Sequence, residues 1–310
     1  MLASLDDPLD AVLPPGGALN GRLFCRLLED EEDAPFPSGT RIGCWRIDSL
    51  FGRGGSSTVY LADRADGHFE QQVAIKIVRA NPAFTEQFRR ERQILARLRH
   101  PGIARLIDGG HLDDGRLWFA MEAVFGVRID HHAHHRALAL GERLALFEEV
   151  CDVVAYAHEQ KLVHRDIKPG NLLVDDAGLP RLLDFGIAVV DGAGEDDAYR
   201  AMTPIYASPE QRAGSIVTAA SDIYQLGMLL RVIVTPDEGS DSLPETSVAN
   251  ALQSIIRRAT AHEPAHRFPS AAALRAEVAA IRRGRAVSGL VLIRRLLDRS
   301  PRPPLVAASG

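Results

Sequence analysis

His164-Arg165-Asp166-Ile167-Lys168-Pro169-Gly170-Asn171, with Asp184-Phe185-Gly186 downstream of it, is the stretch whose reading decides the fold. An acid, a base and an amide stand together on a segment that Pro169 and Gly170 keep out of helix. A carboxylate at Asp166 is suited to accept a hydroxyl proton, and an ammonium at Lys168 to steady a phosphoryl group in transfer. The side-chain oxygens of Asn171 and Asp184 are hard ligands, of the kind that hold Mg²⁺ against phosphates. Short apolar pieces at Leu172–Val174 and Arg181–Leu183 read as strands between these groups.

Upstream, Gly52-Arg53-Gly54-Gly55-Ser56-Ser57-Thr58-Val59-Tyr60 joins a strand at Trp45–Phe51 to a returning strand at Ser57–Ala62. A backbone without side chains can approach phosphates and offer its N–H groups. No helix follows the glycines, so this is not a dinucleotide fingerprint, and no Gly-Lys-Ser/Thr appears, so it is not a Walker A loop. Taken alone, a flexible hairpin turn explains it equally well. Val73-Ala74-Ile75-Lys76 places a single lysine in an apolar strand, where its ammonium needs an anion. Glu91, on the next stretch with helical spacing, is the candidate partner.

From Arg41 to Ala123 strands dominate, with Gln72–Val78, Ile103–Gly110 and Arg116–Met121 completing the set. Phe84–Leu98 is the one helical stretch among them, stopped by His100-Pro101-Gly102. After Val124 the helical period takes over in Leu138–Gln160, Ser221–Val234, Ser247–His262 and Ser270–Arg283. A sheet-rich part followed by a helix-rich part predicts an α+β chain of two lobes with a cleft between them. The N-lobe spans 41–123, with a five-stranded antiparallel sheet and one helix; the mainly helical C-lobe spans 124–283. Residues 1–40, with Pro14-Pro15-Gly16-Gly17 and the acidic run Glu29–Asp33, predict a poorly ordered extension with a short helix around Gly21–Leu28.

The 310 residues are 46% apolar and 25% charged, which excludes collagen-like and wholly disordered classes. Lys and Arg number 36 against 41 Asp and Glu, so no basic field points to nucleic acid. Cys25, Cys44 and Cys151 are too few and too scattered for a disulfide framework and fit a reducing compartment. The apolar run Ala286–Ile293 is far shorter than the about 20 residues of a spanning helix. Asp6, Asp7 and Asp10 stand where a signal peptide needs positive charge, and the sequence predicts a soluble, cytoplasmic protein.

In this order and spacing the pieces resemble the eukaryotic-like protein kinases, and the serine/threonine kinases of bacteria in particular. The resemblance covers roughly residues 41–283. It extends to Thr203-Pro204-Ile205-Tyr206-Ala207-Ser208-Pro209-Glu210, which is similar to the end of an activation segment. Asp222 is similar to the aspartate that anchors the catalytic loop from a buried helix, and Arg267 to the arginine that pairs with the glutamate here at Glu210. The resemblance implies transfer of the ATP γ-phosphate to Ser/Thr hydroxyls of protein substrates in bacterial signalling, with autophosphorylation, and Mg²⁺ or alternatively Mn²⁺ as cofactor. It assigns the substrate hydroxyl to Asp166, the γ-phosphate to Lys168, the α- and β-phosphates to Lys76 held by Glu91, and the metal to Asn171 and Asp184. Gly52, Gly54, Gly55, Ser56 and Ser57 would cover the phosphates, and Val59 belongs to the same cofactor-binding set. Adenine would lie between Ala74 and Leu173, behind Met121 as gatekeeper, with main-chain groups of Glu122 and Val124 on the purine edge. Lys168-Pro169 and Thr203 match the serine/threonine subtype.

Some positions depart from the family. Ser57 replaces the third glycine of the phosphate loop, Met202 a glycine before Thr203-Pro204, and Ser208 an alanine. Arg128 stands near where many relatives carry an acid for the ribose. Between Asp184 and Thr203 the single hydroxyl is Tyr199, and Glu195-Asp196-Asp197 supplies fixed negative charge, which implies activity without phosphorylation within 185–202. The stretch between Asp222 and Arg267 is short, with the usual next helix abridged to Pro236–Pro244. The rival reading is a nucleotide-binding pseudokinase scaffold. The presence of Lys76, Glu91, Asp166, Lys168, Asn171 and Asp184 together opposes it. His131 and His135 have a spacing that can share a metal, but read as surface histidines at the start of a helix. The basic tail, 284–310, interleaves arginines with apolar residues, which suits either contact with an anionic membrane surface or partner, or a continuation of the last helix.

Overall fold

The structure is a computed structural model that describes residues 36–53, 57–78, 93, 95–183, 205–235 and 247–284; of Arg53, Ser57 and Val78 it describes the backbone alone. Strands β1 (Arg41–Ile42), β2 (Trp45–Arg53), β3 (Ser57–Arg64), β4 (Gln72–Val78), β5 (Leu106–His111) and β6 (Leu117–Glu122) form one antiparallel sheet, ordered β1-β2-β3-β4-β6-β5. Residues directly opposed across strands share a face. Tyr60, Ile75 and Ala120 are such a row, and with Ile42, Trp45, Ile47, Val73, Ile77 and Trp118 they make the apolar core of one face. The opposite face carries Val59, Lys76 and Phe119 in one row and Leu61, Ala74 and Met121 in another. Register alone therefore gathers Val59, Ala74, Lys76 and Met121 on one side of the sheet.

Six strands stand where the sequence predicts five. The sixth is β1, two residues turned back onto β2 at Gly43, whose φ of +58° suits glycine. A two-residue strand is too short to carry a period. Strand β5 begins at Leu106 and not Ile103, because the preceding residues are bonded to the other lobe: Leu182 N–H donates to Gly102 O at 2.7 Å and Ala104 N–H to Leu182 O at 3.2 Å. Phe36–Thr40, which the sequence assigns to the extension, lie on the sheet. Phe36 N–H donates to the Tyr60 hydroxyl at 3.1 Å, and the two rings stand edge to face. The expected helix over 84–98 lies outside the described residues except for 93 and 95–98, as does the expected helix around 21–28. Leu95 and Leu98 are buried in the core of the C-lobe.

The C-lobe contains α1 (Ile129–His135), α2 (Leu140–Glu159), α3 (Pro209–Arg212), α4 (Ala219–Val234), α5 (Ser247–Ala259) and α6 (Ala271–Arg282). Beside them lies a small antiparallel sheet, β7 (Val127–Arg128), β8 (Leu172–Val174) and β9 (Pro180–Leu182). Helix α4 is the axis of this lobe: Ser221 to Leu230 are buried without a break, so no side of that stretch meets water. Thr218 starts it, its hydroxyl accepting the Ala220 N–H at 3.3 Å. On α2, Leu144, Phe147, Cys151 and Val154 recur at helical spacing and face the same core. Buried Glu148 on α2 takes both Nε and Nη2 of Arg282, at 2.7 and 3.1 Å, and so ties the end of α6 to it. Among the described residues no helix is long and apolar enough to cross a membrane.

Candidate active site

The catalytic loop hangs from α4. Asp222 is fully buried, and its two carboxylate oxygens accept the N–H groups of His164 and Arg165, each at 2.8 Å, and meet His158 Nε2 at 2.7 Å. Three residues along the same helix, Gln225 accepts the Ile167 N–H at 2.7 Å and donates to Arg165 O at 2.8 Å. Gln211 of α3 donates to that same carbonyl at 2.7 Å. Arg165 has φ +72°, a backbone state that costs a side-chain-bearing residue about 1–2 kcal/mol. The bonds from Asp222, Gln225 and Gln211 hold it there and so turn Asp166 out of the loop. His164 Nδ1 accepts the Asp166 N–H at 3.2 Å, so its Nε2 carries the hydrogen and donates to Leu183 O at 2.9 Å.

Asp166 is flanked by Lys168 and Asn171. Lys168 Nζ lies 2.9 Å from its Oδ2, and Asn171 Nδ2 donates to the same oxygen and to Asp166 O, both at 2.8 Å. Oδ1 of Asp166 is left without a protein partner among the described residues. The Asn171 amide nitrogen is spent on Asp166, which directs its carbonyl oxygen elsewhere. Leu183 N–H donates to the main-chain O of Asn171 at 2.9 Å. A neutral carbonyl oxygen such as that of the Asn171 amide is a hard ligand of the kind that fits a divalent cation. Asp184 itself lies outside the described residues, as do Glu91, Gly54, Gly55, Ser56, Tyr199, Thr203 and Glu195–Asp197. No group of three or more His, Cys, Asp or Glu among the described residues is placed to hold a metal, the α1 histidines included.

The cleft wall follows from the two sheets. In β8, Leu172 and Val174 are buried in the core, and the alternation leaves Leu173 half-buried on the other side. The segment after β6 crosses β8 so closely that a Cβ on Gly126 would stand 2.5 Å from Val174 O. Glycine is required there by contact, with no positive φ involved. Lys76 is half-buried on the cleft side of β4, and Gly52 stands one residue before the end of β2, where a Cβ would meet nothing within 4 Å among the described residues. Glu122 donates its N–H to Arg105 O at 2.9 Å, and its carboxylate pairs with Arg181 Nη2 at 2.7 Å. Arg181 also reaches Asp175 at 3.5 Å, so an arginine on β9 links the connection between the lobes to the strand that leads to Asp184. Arg128 is committed to Asp130 through two bonds, at 2.7 and 3.2 Å.

The end of the activation-like segment is pinned by an ion pair. Arg267 and Glu210 meet through two parallel contacts of 2.7 Å, with the Ser221 hydroxyl donating to Glu210 at 2.6 Å. Burial opposes the Glu210 charge, but the bonds from Arg267 and Ser221 outweigh it and bring the carboxyl from 4.5 down to about 2. In the same segment, burial raises the Tyr206 phenol above its ordinary range, with Asp130 adding to the rise.

The model of the protein kinase domain matches residues 45–302. The chain belongs to the protein kinase family. It is 34% identical to the serine/threonine-protein kinase PrkC of Bacillus subtilis, over 77% of this chain and 41% of that one. To the serine/threonine-protein kinase PknB of Mycolicibacterium smegmatis it is 30% identical, over 78% and 43%. To the serine/threonine-protein kinase pkn3 of Myxococcus xanthus it is 28% identical, over 83% and 52%. The chain thus spans about two fifths to a half of these relatives. The sequence reading missed His158, Gln211, Gln225 and Arg181. For Gln225 a signal existed: a polar side chain in a mainly apolar helix, one turn from Asp222, must find a partner.

Proposed function

We propose that this chain is a serine/threonine protein kinase that transfers the γ-phosphoryl group of ATP to protein hydroxyls and to itself. The observation that carries the reading is the Asp166 carboxylate, held by Lys168 at 2.9 Å and Asn171 at 2.8 Å with one oxygen left over. That oxygen, Oδ1, is where the acceptor Ser or Thr hydroxyl would sit. The hydroxyl oxygen attacks phosphorus, the bond from the γ-phosphorus to the bridging oxygen breaks, ADP leaves, and the hydroxyl proton passes to Asp166. Lys168, so placed, steadies the charge on the moving group. Asn171 Oδ1 and Asp184 would hold Mg²⁺ or Mn²⁺, which when bound screens the phosphate charge. Lys76, with Glu91, would take the α- and β-phosphates beneath Gly52, Gly54, Gly55, Ser56 and Ser57. The base would lie against Val59, Ala74 and Met121 of the large sheet, with Leu173 of β8 opposite them. With the Glu122 N–H already given to Arg105, the contact of Glu122 to the purine falls to its carbonyl, and Val124 supplies its main chain.

The kinase unit of this reading runs from about Phe36, which lies on the sheet, to the Arg282 anchor of α6. A cytoplasmic place, the silent loop at 185–202 and a surface role for the basic tail belong to the same proposal. The test is transfer from labelled ATP with Mg²⁺, by the chain alone and with a generic basic protein as acceptor. Label on Ser and Thr with wild type, absent with Asp166→Asn, is the expected result. Nucleotide binding without transfer in either protein would replace the enzyme with a scaffold.

A further inference from the structure

Among the described residues outside the predicted site, an aromatic pair also joins the two lobes. The rings of Phe51 and Phe125 stand 5.7 Å apart at an interplanar angle of 71°, edge to face. Phe51 belongs to β2 and Phe125 to the segment between β6 and β7. Each is aimed by its own backbone device. In the β2–β3 ladder Leu50 opposes Tyr60 and Gly52 opposes Val59, so Phe51 is the extra residue of a bulge, and a bulge redirects the side chain it carries. Phe125 precedes Gly126, whose close approach to Val174 O pins that segment down on β8. Phe125 is nevertheless 54% exposed, and the next side chain, Val127, is exposed as well. A large aromatic ring left half in water and matched to a ring on the other lobe has no role in the core of either lobe.

We propose that Phe51 and Phe125 form an aromatic clasp across the cleft mouth that retains the nucleotide. The inference rests on the kinase reading, for it takes the nucleotide to lie behind the pair. Phe51 directly precedes Gly52 of the phosphate loop, and Phe125 directly follows Val124. A nucleotide therefore enters or leaves only when the rings part, and the pair pulls the lobes together once it is inside. Phe125 is a positioning residue here: it touches neither the phosphates nor the acceptor hydroxyl. Edge-to-face pairs of this kind change an equilibrium constant by roughly 2- to 10-fold. That factor falls on nucleotide dissociation, because the clasp acts only after closure.

The test uses the full chain, with MgADP and MgATP affinity by calorimetry and ADP release by stopped-flow chase of a fluorescent ADP. Phe125→Ala is expected to weaken both nucleotides about 2- to 10-fold, through faster release, with kcat unchanged or raised. Phe125→Tyr, which keeps the ring edge, is expected to behave as wild type. Phe51→Ala combined with Phe125→Ala is expected to be no weaker than the weaker single variant, since both remove the same contact. Affinity and release unchanged in Phe125→Ala, or fully additive losses in the pair, would overturn the clasp while leaving the kinase intact. A wild-type chain that binds no nucleotide would overturn the kinase reading and the clasp together. A merely structural role would lower the melting temperature without moving the release rate.

Discussion

The Glu210–Arg267 pair is the contact whose removal has the most calculable cost. Arg267 is 3% exposed and the Glu210 side chain 10%, so water reaches the pair only at the Glu210 edge. Besides Glu210, Arg267 donates to the carbonyls of Ala220 at 2.7 Å, Ala261 at 2.9 Å and His262 at 3.0 Å. The depression of the Glu210 carboxyl from 4.5 to about 2 corresponds to at most about 3 kcal/mol in favour of the folded state, less what solvent screens at its exposed edge. Because the folded value lies below the unfolded one, this contribution is complete above about pH 4.5 and is lost as the pH falls toward about 2. Arg267→Met removes the cation and leaves a carboxylate buried, which costs about 3–5 kcal/mol. For a domain of this size that lowers the melting temperature by roughly 6–20 °C at pH 7.

The same variant carries a sign that separates charge from packing. With Arg267 gone, burial is opposed only by the Ser221 hydroxyl and the Glu210 main-chain N–H, so the carboxyl rises from about 2 and is neutralised at milder acidity. The gap in melting temperature between wild type and Arg267→Met should therefore narrow from pH 7 to pH 5. Glu210→Met with Arg267→Met should be less damaging than Arg267→Met alone, since no charge is left stranded. Thermal unfolding across pH 5–7 for the three proteins measures all of this. A loss below 2 °C, or a gap that does not change with pH, would refute the argument from buried charge.

Two further outcomes follow from the site. Asp222→Asn cannot accept both loop N–H groups as Asp222 does, so Arg165 loses support for its strained backbone; kcat should fall by more than about 100-fold with KM for ATP little changed, and steady-state kinetics giving a kcat near wild type would refute it. His100 accepts the Gly102 N–H on Nδ1 at 3.0 Å, and burial pushes its pKa below 6.5, partly opposed by Asp152. Its folded value being lowered, the bond stabilises fully above pH 6.5 and is lost as the pH falls below it, so a melting series from pH 7.5 to 5.5 should slope less in His100→Gln than in wild type.

Much of the fold was legible because its signals are local. Gln72–Val78 alternates strongly enough to fix its bounds, and with two neighbouring strands it sets which residues face the cleft. Asp166, Lys168 and Asn171 lie within one short loop, so their meeting follows from chain length alone. What stayed hidden depends on distant partners. Strand β5 starts late because Gly102 and Ala104 bond to β9, and nothing in residues 102–104 announces this. Arg181 reads as an ordinary strand arginine until Glu122 and Asp175 are placed beside it.

The catalytic loop shows why motif and support must be read separately. Its local sequence does not favour its own shape: Arg165 occupies a left-handed state that its side chain disfavours, and Pro169 and Gly170 only forbid helix. The conformation is imposed by Asp222 and Gln225, which lie 58 residues away from His164 and Ile167 respectively. Those two polar groups are buried in an otherwise apolar helix, where each lost partner would cost about 1–3 kcal/mol. The loop N–H groups and the helix side chains thus satisfy one another, and neither arrangement is stable without its counterpart. Asp166 is positioned by the core of the C-lobe, through bonds that the loop's own sequence does not supply.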